Sequence, residues 1–365
     1  MVTAPGLFDP ITLRGLEVSH RGWVAAMCQY SADDGHTPGV PTDWHLMHLG
    51  QFAAGGAALI VTEATAVSRQ GMISPRDTGL YTTEQARTWR RITDFVHSHG
   101  AVDTKIGVQL AHAGRKASCY WPFSGKRGSV PFQDGGWQTV GPTDEAFGSY
   151  AQPRPMTEPD ILSVIEDFRR SAGLALEAGF DTIEIHAAHR YLLHQFQSPL
   201  VNNRTDRWGG DEEGGRRLTL EVIDAVRGII PDSMPLLLRI SASDWSDGGL
   251  DGHSSARLAA QAAARGVDLV DVSSGGAIPN AAIPAEQGYQ VHLAAEVRSG
   301  GGVPTGAVGL INDAGHADHV IRSGSADAVL IARAALRDPH WWQRAAAELG
   351  LELPWAPQYE RAGGF

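Results

Sequence analysis

The chain has 365 residues, 42% of them apolar and 19% charged, and a formal net charge of −11. Such a composition fits a globular protein with a sizeable core, and the acidic balance argues against nucleic acid or a membrane surface as partner, since both need basic patches. Cys28 and Cys119 are too few for a disulfide framework or an iron–sulfur site. Because no apolar run approaches the ~20 residues of a spanning helix and segment 1–10 lacks signal-peptide features, we expect a cytoplasmic protein.

Short β-rich runs alternate along the chain with amphipathic helical stretches. The runs predict eight strands, near residues 23–27, 58–62, 105–110, 182–186, 236–240, 269–273, 303–308 and 328–332. The stretches predict eight helices, near residues 42–54, 84–99, 159–178, 213–228, 254–264, 289–298, 313–322 and 339–349.

Eight strand–helix units in series, without linker composition, favour a single (β/α)8 TIM barrel over residues 1–365 with an N-terminal cap. The alternative is a doubly wound sheet, but the G-x-G-x-x-G turn that usually marks one is absent from the sequence. Segment 117–155 follows the third strand and is rich in Gly, Pro and aromatic residues. We expect it to form an ordered excursion over the barrel mouth.

The most informative residues follow the fourth strand, where His186, His189 and Tyr191 stand within a short stretch. In a TIM barrel the loops after the strands surround the open mouth and carry the catalytic groups. Two imidazoles there can donate hydrogen bonds to a carbonyl or phenolate oxygen, and a tyrosine can deliver a proton. The cluster predicts an enzyme. A zinc site that includes His194 is the alternative, although a carboxylate or cysteine at ligand spacing is missing.

Other strand ends add polar groups to the same mouth. Cys28 and Tyr30 follow the first strand, and Gln109 and Arg239 lie on the third and fifth. After the last two strands, small residues precede helices, and backbone amides at such places can bind a phosphate. A phosphate-bearing ligand with a planar polar head would satisfy these groups together.

These segments resemble the old yellow enzymes, which are flavin-dependent ene reductases, and specifically their bacterial thermophilic-like subclass. The resemblance rests on motifs that occur in order along the chain, at residues 27–31, 109–116, 186–189, 198–200, 203–206, 239–244, 305–309 and 358–361. They include Gln-Leu-Ala-His-Ala-Gly-Arg-Lys at 109–116 and His-Ala-Ala-His at 186–189.

The resemblance implies an FMN enzyme that uses NADPH or NADH to reduce the C=C bond of small activated alkenes, the α,β-unsaturated carbonyl compounds. It implies that His186 and His189 bind the substrate oxygen, that Tyr30 assists and that Tyr191 donates the proton. It also implies that Arg361, in a C-terminal tail at 354–365, reaches into a neighbouring subunit of a homodimer or tetramer. No metal is implied. The residues expected to bind FMN are Ala25, Ala26, Met27, Cys28, Ala64, Gln109, Arg239, Gly309, Ala332 and Arg333.

The sequence departs from the family pattern at several positions. Arg190 stands where the family has glycine, and Gly214 and Gly215 replace an asparagine and an arginine. Alanines at 25 and 26 replace Ser-Pro, and Ala332 replaces a glycine of the phosphate loop. A cation at 190 would displace Tyr191 or fill the pocket, and it favours an alternative in which the flavin enzyme acts on a dedicated anionic metabolite or in the oxidative direction. A metal-dependent barrel lyase or hydrolase is the alternative from another class.

Overall fold

The computed structural model describes residues 4–32 and 37–363. Within these ranges, eight parallel strands close into a barrel that is surrounded by helices, which confirms the (β/α)8 TIM barrel predicted from the sequence. The barrel strands are buried on both faces, because side chains fill the interior and helices cover the exterior.

The strands in chain order are β1 (Ile11–Leu13), β2 (Leu16–Val18), β3 (Gly22–Val24), β4 (Leu59–Ala66), β5 (Lys105–Ala111), β6 (Val140–Gly141), β7 (Arg154–Pro155), β8 (Thr182–Ala187), β9 (Leu236–Ser241), β10 (Leu269–Ser273), β11 (Thr305–Ala307) and β12 (Ala328–Ile331). The barrel closes in the order β3-β4-β5-β8-β9-β10-β11-β12, with β12 beside β3. The hairpin β1–β2 precedes the barrel and packs on its N-terminal end, where Leu13 and Val18 share an apolar cluster with Trp23.

The helices are α1 (Asp43–Ala54), α2 (Thr83–His99), α3 (Glu158–Glu177), α4 (Leu192–Gln197), α5 (Glu212–Arg227), α6 (Gly252–Ala263), α7 (Val291–Gly301), α8 (Ala314–Arg322), α9 (Arg333–Arg337) and α10 (Trp341–Glu348). Several begin at a side-chain cap: Thr82, Thr157, Asp211, Asp251 and Asp313 each accept a hydrogen bond from a backbone N–H of the first turn. No helix among the described residues combines the length and apolarity that crossing a membrane requires.

The predicted elements all occur, with three differences. The first barrel strand ends at Val24 rather than near residue 27, and the Gln29 N–H donates to Glu63 Oε2 (2.9 Å) instead of to a neighbouring strand. The helices α4 and α9 were not predicted, because five or six residues are too few to show a helical period. The pair β6–β7 lies inside segment 117–155, which also contains the 3-10 turn Phe132–Asp134 and is otherwise irregular.

Candidate functional site

The turn after β8 brings His186, His189 and Tyr191 together. The His186 ring centroid lies 5.2 Å from that of His189 and 5.1 Å from that of Tyr191, both edge to face. His189 and Arg190 both have positive φ, 56° and 66°, so the backbone makes a tight left-handed turn here. The Arg190 N–H donates to Nδ1 of His194 (2.9 Å), which helps to hold that turn.

The predicted alternative of a zinc site uses His194, but this side chain is engaged elsewhere. It is fully buried, and its Nε2 lies 2.9 Å from Asp244 Oδ1. Across residues 4–32 and 37–363, no group of three or more His, Cys, Asp or Glu side chains is placed to hold a metal ion. His194 therefore supports the turn that carries Arg190.

Both candidate oxygen-binding histidines are held neutral. Burial, together with the positive charge of Arg239, keeps the pKa of His186 and of His189 well below the usual 6.5. His189 Nε2 lies 2.8 Å from Ser273 Oγ, and Nδ1 of His186 is buried without a partner among the described residues. A neutral imidazole with an unused nitrogen can take part in a hydrogen bond with a bound ligand.

The segment after β3 holds the first group of predicted flavin contacts. Ala25 is buried, and its N–H donates to the Ile331 carbonyl of β12 (3.0 Å), which keeps the segment against the barrel. Ala26 and Met27 follow and are partly buried. This stretch therefore continues from β3 and lies beside the C-terminal end of β12.

Cys28, Tyr30 and Tyr191 pack against one apolar cluster that includes Ala64 and Cys119. Burial raises the pKa of the Cys28 thiol well above its usual value, and Glu63 adds to this. Burial likewise raises the pKa of Tyr30 and of Tyr191 far above 10. The thiol and both phenols stay protonated at neutral pH, so a proton is available at the Tyr191 hydroxyl.

A buried polar network crosses the barrel interior below these residues. Gln109 Nε2 donates to Glu184 Oε1 (2.7 Å), and Arg239 Nε lies 2.9 Å from Asp271 Oδ2. Burial and the charge of Asp271 raise the pKa of Glu184 to about 8. In the strand register Arg239 stands beside both His186 and Asp271, and Ala64 stands beside Gln109.

Two polar atoms of this network, Oε2 of Glu184 and Oδ1 of Asp271, are buried without a partner among the described residues. Nε of Arg239 and Oδ2 of Asp271 face each other as an ion pair, 2.9 Å apart. Buried polar groups without partners are rare in folded proteins, so these two carboxyl oxygens, beside the Gln109 amide and the Arg239 guanidinium, point to a ligand. The polar edge of an isoalloxazine ring carries both carbonyl and N–H groups and fits these side chains.

A cavity of about 130 Å³ lies where β11 and β12 end, several times the ~30 Å³ volume of a water molecule. The predicted residues Gly309, Ala332 and Arg333 line it, together with Ser273 and Gln290. A Cβ at Gly309, whose φ is +123°, would stand 2.9 Å from the Gln290 side chain. The narrow walls and the guanidinium fit a phosphate, and so the residues present are compatible with FMN.

Sequence reasoning missed Ser273 and Gln290. Ser273 Oγ lies within hydrogen-bond distance of both His189 and Gln290, and Gln290 Nε2 donates to the Val308 carbonyl (3.0 Å). These two side chains thus connect the histidine pair to the cavity after β11. Ser273 is the last residue of the sixth barrel strand. Its position at a strand end was the only sequence feature that could have marked it as a site residue.

Arg361 stands apart from this group. It lies in the final 3-10 turn, Pro357–Ala362, and is exposed. The tail is packed on the outside of the barrel through Trp355 and Tyr359, whose rings lie 5.5 and 5.7 Å from that of His340. Of segment 354–365, residues 364 and 365 lie outside the described part. Within one chain, the structure shows no contact between Arg361 and the histidine pair among the described residues.

Comparison with known proteins agrees with this geometry. The model of the NADH:flavin oxidoreductase / NADH oxidase family matches residues 6–352. An NADPH dehydrogenase of a Geobacillus species is 42% identical, over 98% of this chain and 99% of the relative, and an NADH:flavin oxidoreductase of Gibberella zeae is 42% identical over 97% and 88%. The old yellow enzyme homologue from Zymomonas mobilis superposes with a TM-score of 0.76 at 25% identity, over 96% of this chain and 94% of that one. The chain belongs to this family of old yellow enzymes and is an FMN-dependent NAD(P)H oxidoreductase.

Proposed function

We propose that this enzyme reduces the C=C bond of α,β-unsaturated carbonyl compounds. The observation that carries the proposal is the pair of neutral imidazoles, His186 and His189, beside the protonated phenol of Tyr191. Bound FMN would supply the hydride chemistry between NADPH or NADH and the alkene. A single proton, added to the α-carbon, then completes the saturated product.

The protein residues would act on the substrate oxygen and on that proton. His186 and His189 would donate N–H hydrogen bonds to the carbonyl oxygen, where negative charge develops as the β-carbon is reduced. Two donors fixed by the turn after β8 would stabilise this charge as an oxyanion hole does, each by ~3 kcal/mol. Tyr191 would protonate the α-carbon and Tyr30 would assist it, since both phenols keep their protons at neutral pH.

Three groups of residues at the mouth would hold the flavin. Residues 25–28 and Ala64 would line its edge, and Gln109 and Arg239 would meet its polar groups. Gly309, Ala332 and Arg333 would hold its phosphate in the cavity after β11 and β12. Arg239 would place a positive charge near the ring, which favours an anionic reduced flavin.

We also propose that the enzyme works in the cytoplasm as a homodimer or tetramer. Cys28 and Cys119 are both free in the structure, as suits a reducing compartment. The exposed Arg361 would complete the active site of a neighbouring subunit.

The test is anaerobic reduction of the holoenzyme by NADPH, followed by mixing with 2-cyclohexenone in a stopped-flow instrument. We expect rapid reoxidation in the wild type. We expect Tyr191→Phe to slow it by about 100-fold or more, because the phenol no longer supplies the proton, while the rate of reduction by NADPH is retained. Tyr120→Phe is the matched control, since that hydroxyl donates to Asp134 in an exposed part of segment 117–155. A reduced flavin that no activated alkene reoxidises would contradict the proposal.

A further inference from the structure

Three cations surround one aromatic ring beside the candidate active site. From the ring centroid of Phe147, Cζ of Arg190 lies 4.6 Å away, Nζ of Lys116 4.8 Å and Cζ of Arg115 5.6 Å. Lys116 Nζ also lies 3.6 Å from the ring of Tyr150. In a chain with a net charge of −11, this concentration of positive charge needs an explanation.

The cations adjoin the residues proposed to bind the substrate. Arg190 stands between His189 and Tyr191 in the turn after β8, and its charge acts on both side chains. Arg115 and Lys116 lie in the short 3-10 turn after β5, the strand next to β8 in the barrel. The cluster therefore borders the substrate side of the mouth.

No carboxylate among the described residues forms an ion pair with these three cations. The guanidinium of Arg115 donates to the carbonyl oxygens of Glu145 (3.2 Å) and Ala277 (3.0 Å), and its Nε is buried without a partner. Within the part of the chain that the structure describes, neither the Lys116 ammonium nor the Arg190 guanidinium donates a hydrogen bond to another protein group. Burial lowers the pKa of Arg115, and the exposed Glu145 carboxylate opposes this shift but makes no ion pair.

Lys116 is only 9% exposed, and a lysine that is so deeply buried usually has an ionic partner. Burial, with smaller contributions from Arg190 and Arg115, lowers its pKa to about 8 against an opposing effect of Cys119. A nearly buried ammonium without a counter-ion is costly, and cation–π contacts recover only part of the lost hydration. The cost would be removed if an anion bound between these side chains.

The anion is not the phosphate of FMN. The cavity suited to that phosphate lies after β11 and β12, whereas the cations lie after β5 and β8, and β3 and β4 separate β12 from β5 in the closed barrel. Two sources of an anion remain on this side of the mouth: a carboxylate on the alkene, or the phosphates of the nicotinamide donor.

We propose that Arg115, Lys116 and Arg190 form an anion subsite that binds the carboxylate of the unsaturated substrate while its ketone lies against His186 and His189. The inference rests on the proposed ene reduction and assigns that reaction a substrate class, the unsaturated oxo acids. No bond is made or broken at the subsite. Arg190 and Lys116 orient the substrate and select it by charge.

The test compares 4-oxo-2-pentenoate with its methyl ester, and a second acid–ester pair with a longer chain between the enone and the carboxylate. The ester keeps the shape and removes the charge. We expect wild-type kcat/KM to favour at least one acid over its ester by ten-fold or more. We expect Arg190→Gln and Lys116→Gln each to lower that ratio by about ten-fold, because a hydrogen bond to a charged group is lost. Arg169→Gln, an exposed arginine paired with Glu166 on α3, should leave the ratio unchanged.

A second measurement does not depend on turnover. The Kd of each acid and ester for the oxidised holoenzyme is followed through the perturbation of flavin absorption, after flavin content and melting temperature show that each variant is folded. If the wild type binds the acid more tightly than the ester and Arg190→Gln does not, the subsite is supported, even if neither compound is reduced. In that case only the proposed ene reduction fails.

Other outcomes overturn the subsite and leave ene reduction in place. Equal binding and equal turnover of acid and ester in the wild type would do so. The subsite is also overturned if Arg190→Gln and Lys116→Gln leave the acid–ester ratio of kcat/KM unchanged and raise the KM for NADPH. The cations would then bind the phosphates of the nicotinamide donor.

Discussion

At the scale of single residues, the same type of side chain serves opposite purposes in this protein. His186 and His189 are neutral, and Nδ1 of His186 is available to a ligand, whereas both ring nitrogens of His194 are occupied by Asp244 and the Arg190 N–H. Arg190, expected from the sequence to displace Tyr191 or fill the pocket, lies over Phe147 and leaves Tyr191 against His186. The sequence identifies the residue types, but it does not give the direction in which each side chain points.

His112, from the motif after the third strand, gives a prediction about acid stability. It is 1% exposed, its Nδ1 accepts a hydrogen bond from the Gly114 N–H, and burial lowers its pKa to about 4. The folded state keeps this imidazole neutral, whereas the unfolded chain protonates it near pH 6.5. Its stabilising contribution is therefore complete above pH 6.5 and is lost as the pH falls toward 4, by roughly 3 kcal/mol.

We expect the free energy of unfolding of His112→Gln to fall less steeply than that of the wild type between pH 7 and pH 4. Urea unfolding at several pH values measures this, and glutamine retains an acceptor for Gly114. Asp77, whose pKa burial raises to about 7, opposes the trend in both proteins and cancels in the comparison. His319→Gln, on an exposed face of α8, is the control. If the free energies of unfolding of His112→Gln and the wild type changed in parallel with pH, His112 would not contribute to the loss of stability in acid.

At the scale of elements, the departures at Gly214 and Gly215 have a packing explanation. The first turn of α5 approaches the preceding loop so closely that a Cβ at Gly214 would stand 2.1 Å from the Gly209 carbonyl oxygen. A Cβ at Gly215 would stand 3.0 Å from the Phe196 carbonyl oxygen of α4. The larger side chains of the family pattern do not fit this arrangement, and a cavity of about 580 Å³ lies beside it.

We expect Gly214→Ala to destabilise the protein by about 1–3 kcal/mol, because a backbone atom must move to admit the methyl group. The matched control is Gly173→Ala in α3, where the new Cβ would meet only Ile229 at an ordinary 3.5 Å. That change should be neutral or stabilising by up to ~1 kcal/mol, since alanine favours a helix. Urea midpoints measure both, and equal stability of the two variants would contradict the packing argument.

The elements themselves follow from local sequence, whereas their exact ends depend on neighbours. Helices such as α2 and α3 combine a threonine cap with an apolar period and were predicted within a few residues. β3 was predicted too long, because apolar residues 25–27 look like strand but the following backbone is drawn to Glu63. The short helices α4 and α9 depend on tertiary packing, since so few residues do not form a stable helix alone.

At the scale of the whole molecule, the structure of a single chain gives the C-terminal tail no function. Trp355 and Tyr359 fix it against His340, and Arg361 stays exposed beyond them. A groove of about 640 Å³ between α1, α2 and the tail includes Tyr359 and the exposed Met47. These features agree with the proposal that Arg361 acts on a neighbouring subunit.

We expect Arg361→Ala to raise the KM for 2-cyclohexenone by about ten-fold without loss of FMN, because the substrate loses a charged hydrogen-bond donor. A complementation experiment shows whether the donor comes from a partner. In an equal mixture of Arg361→Ala and Tyr191→Phe chains assembled as dimers, about a quarter of the sites would hold both wild-type residues and recover activity. Sedimentation checks the assembly. A monomeric enzyme, or an unchanged KM in Arg361→Ala, would contradict the proposal that Arg361 acts in the active site of a neighbouring subunit.

The sequence by itself determined the barrel, the order of its strands and the types of polar residue at their C-terminal ends. Apolar periodicity and residue type are local properties, and the barrel places every strand end at one mouth. Only the tertiary structure decided that Ser273 joins His189, that Gly214 lies against Gly209, and that Arg115, Lys116 and Arg190 meet around Phe147. The first and last of these contacts join residues far apart in the chain, and all three depend on how loops pack over the barrel, which no local pattern records.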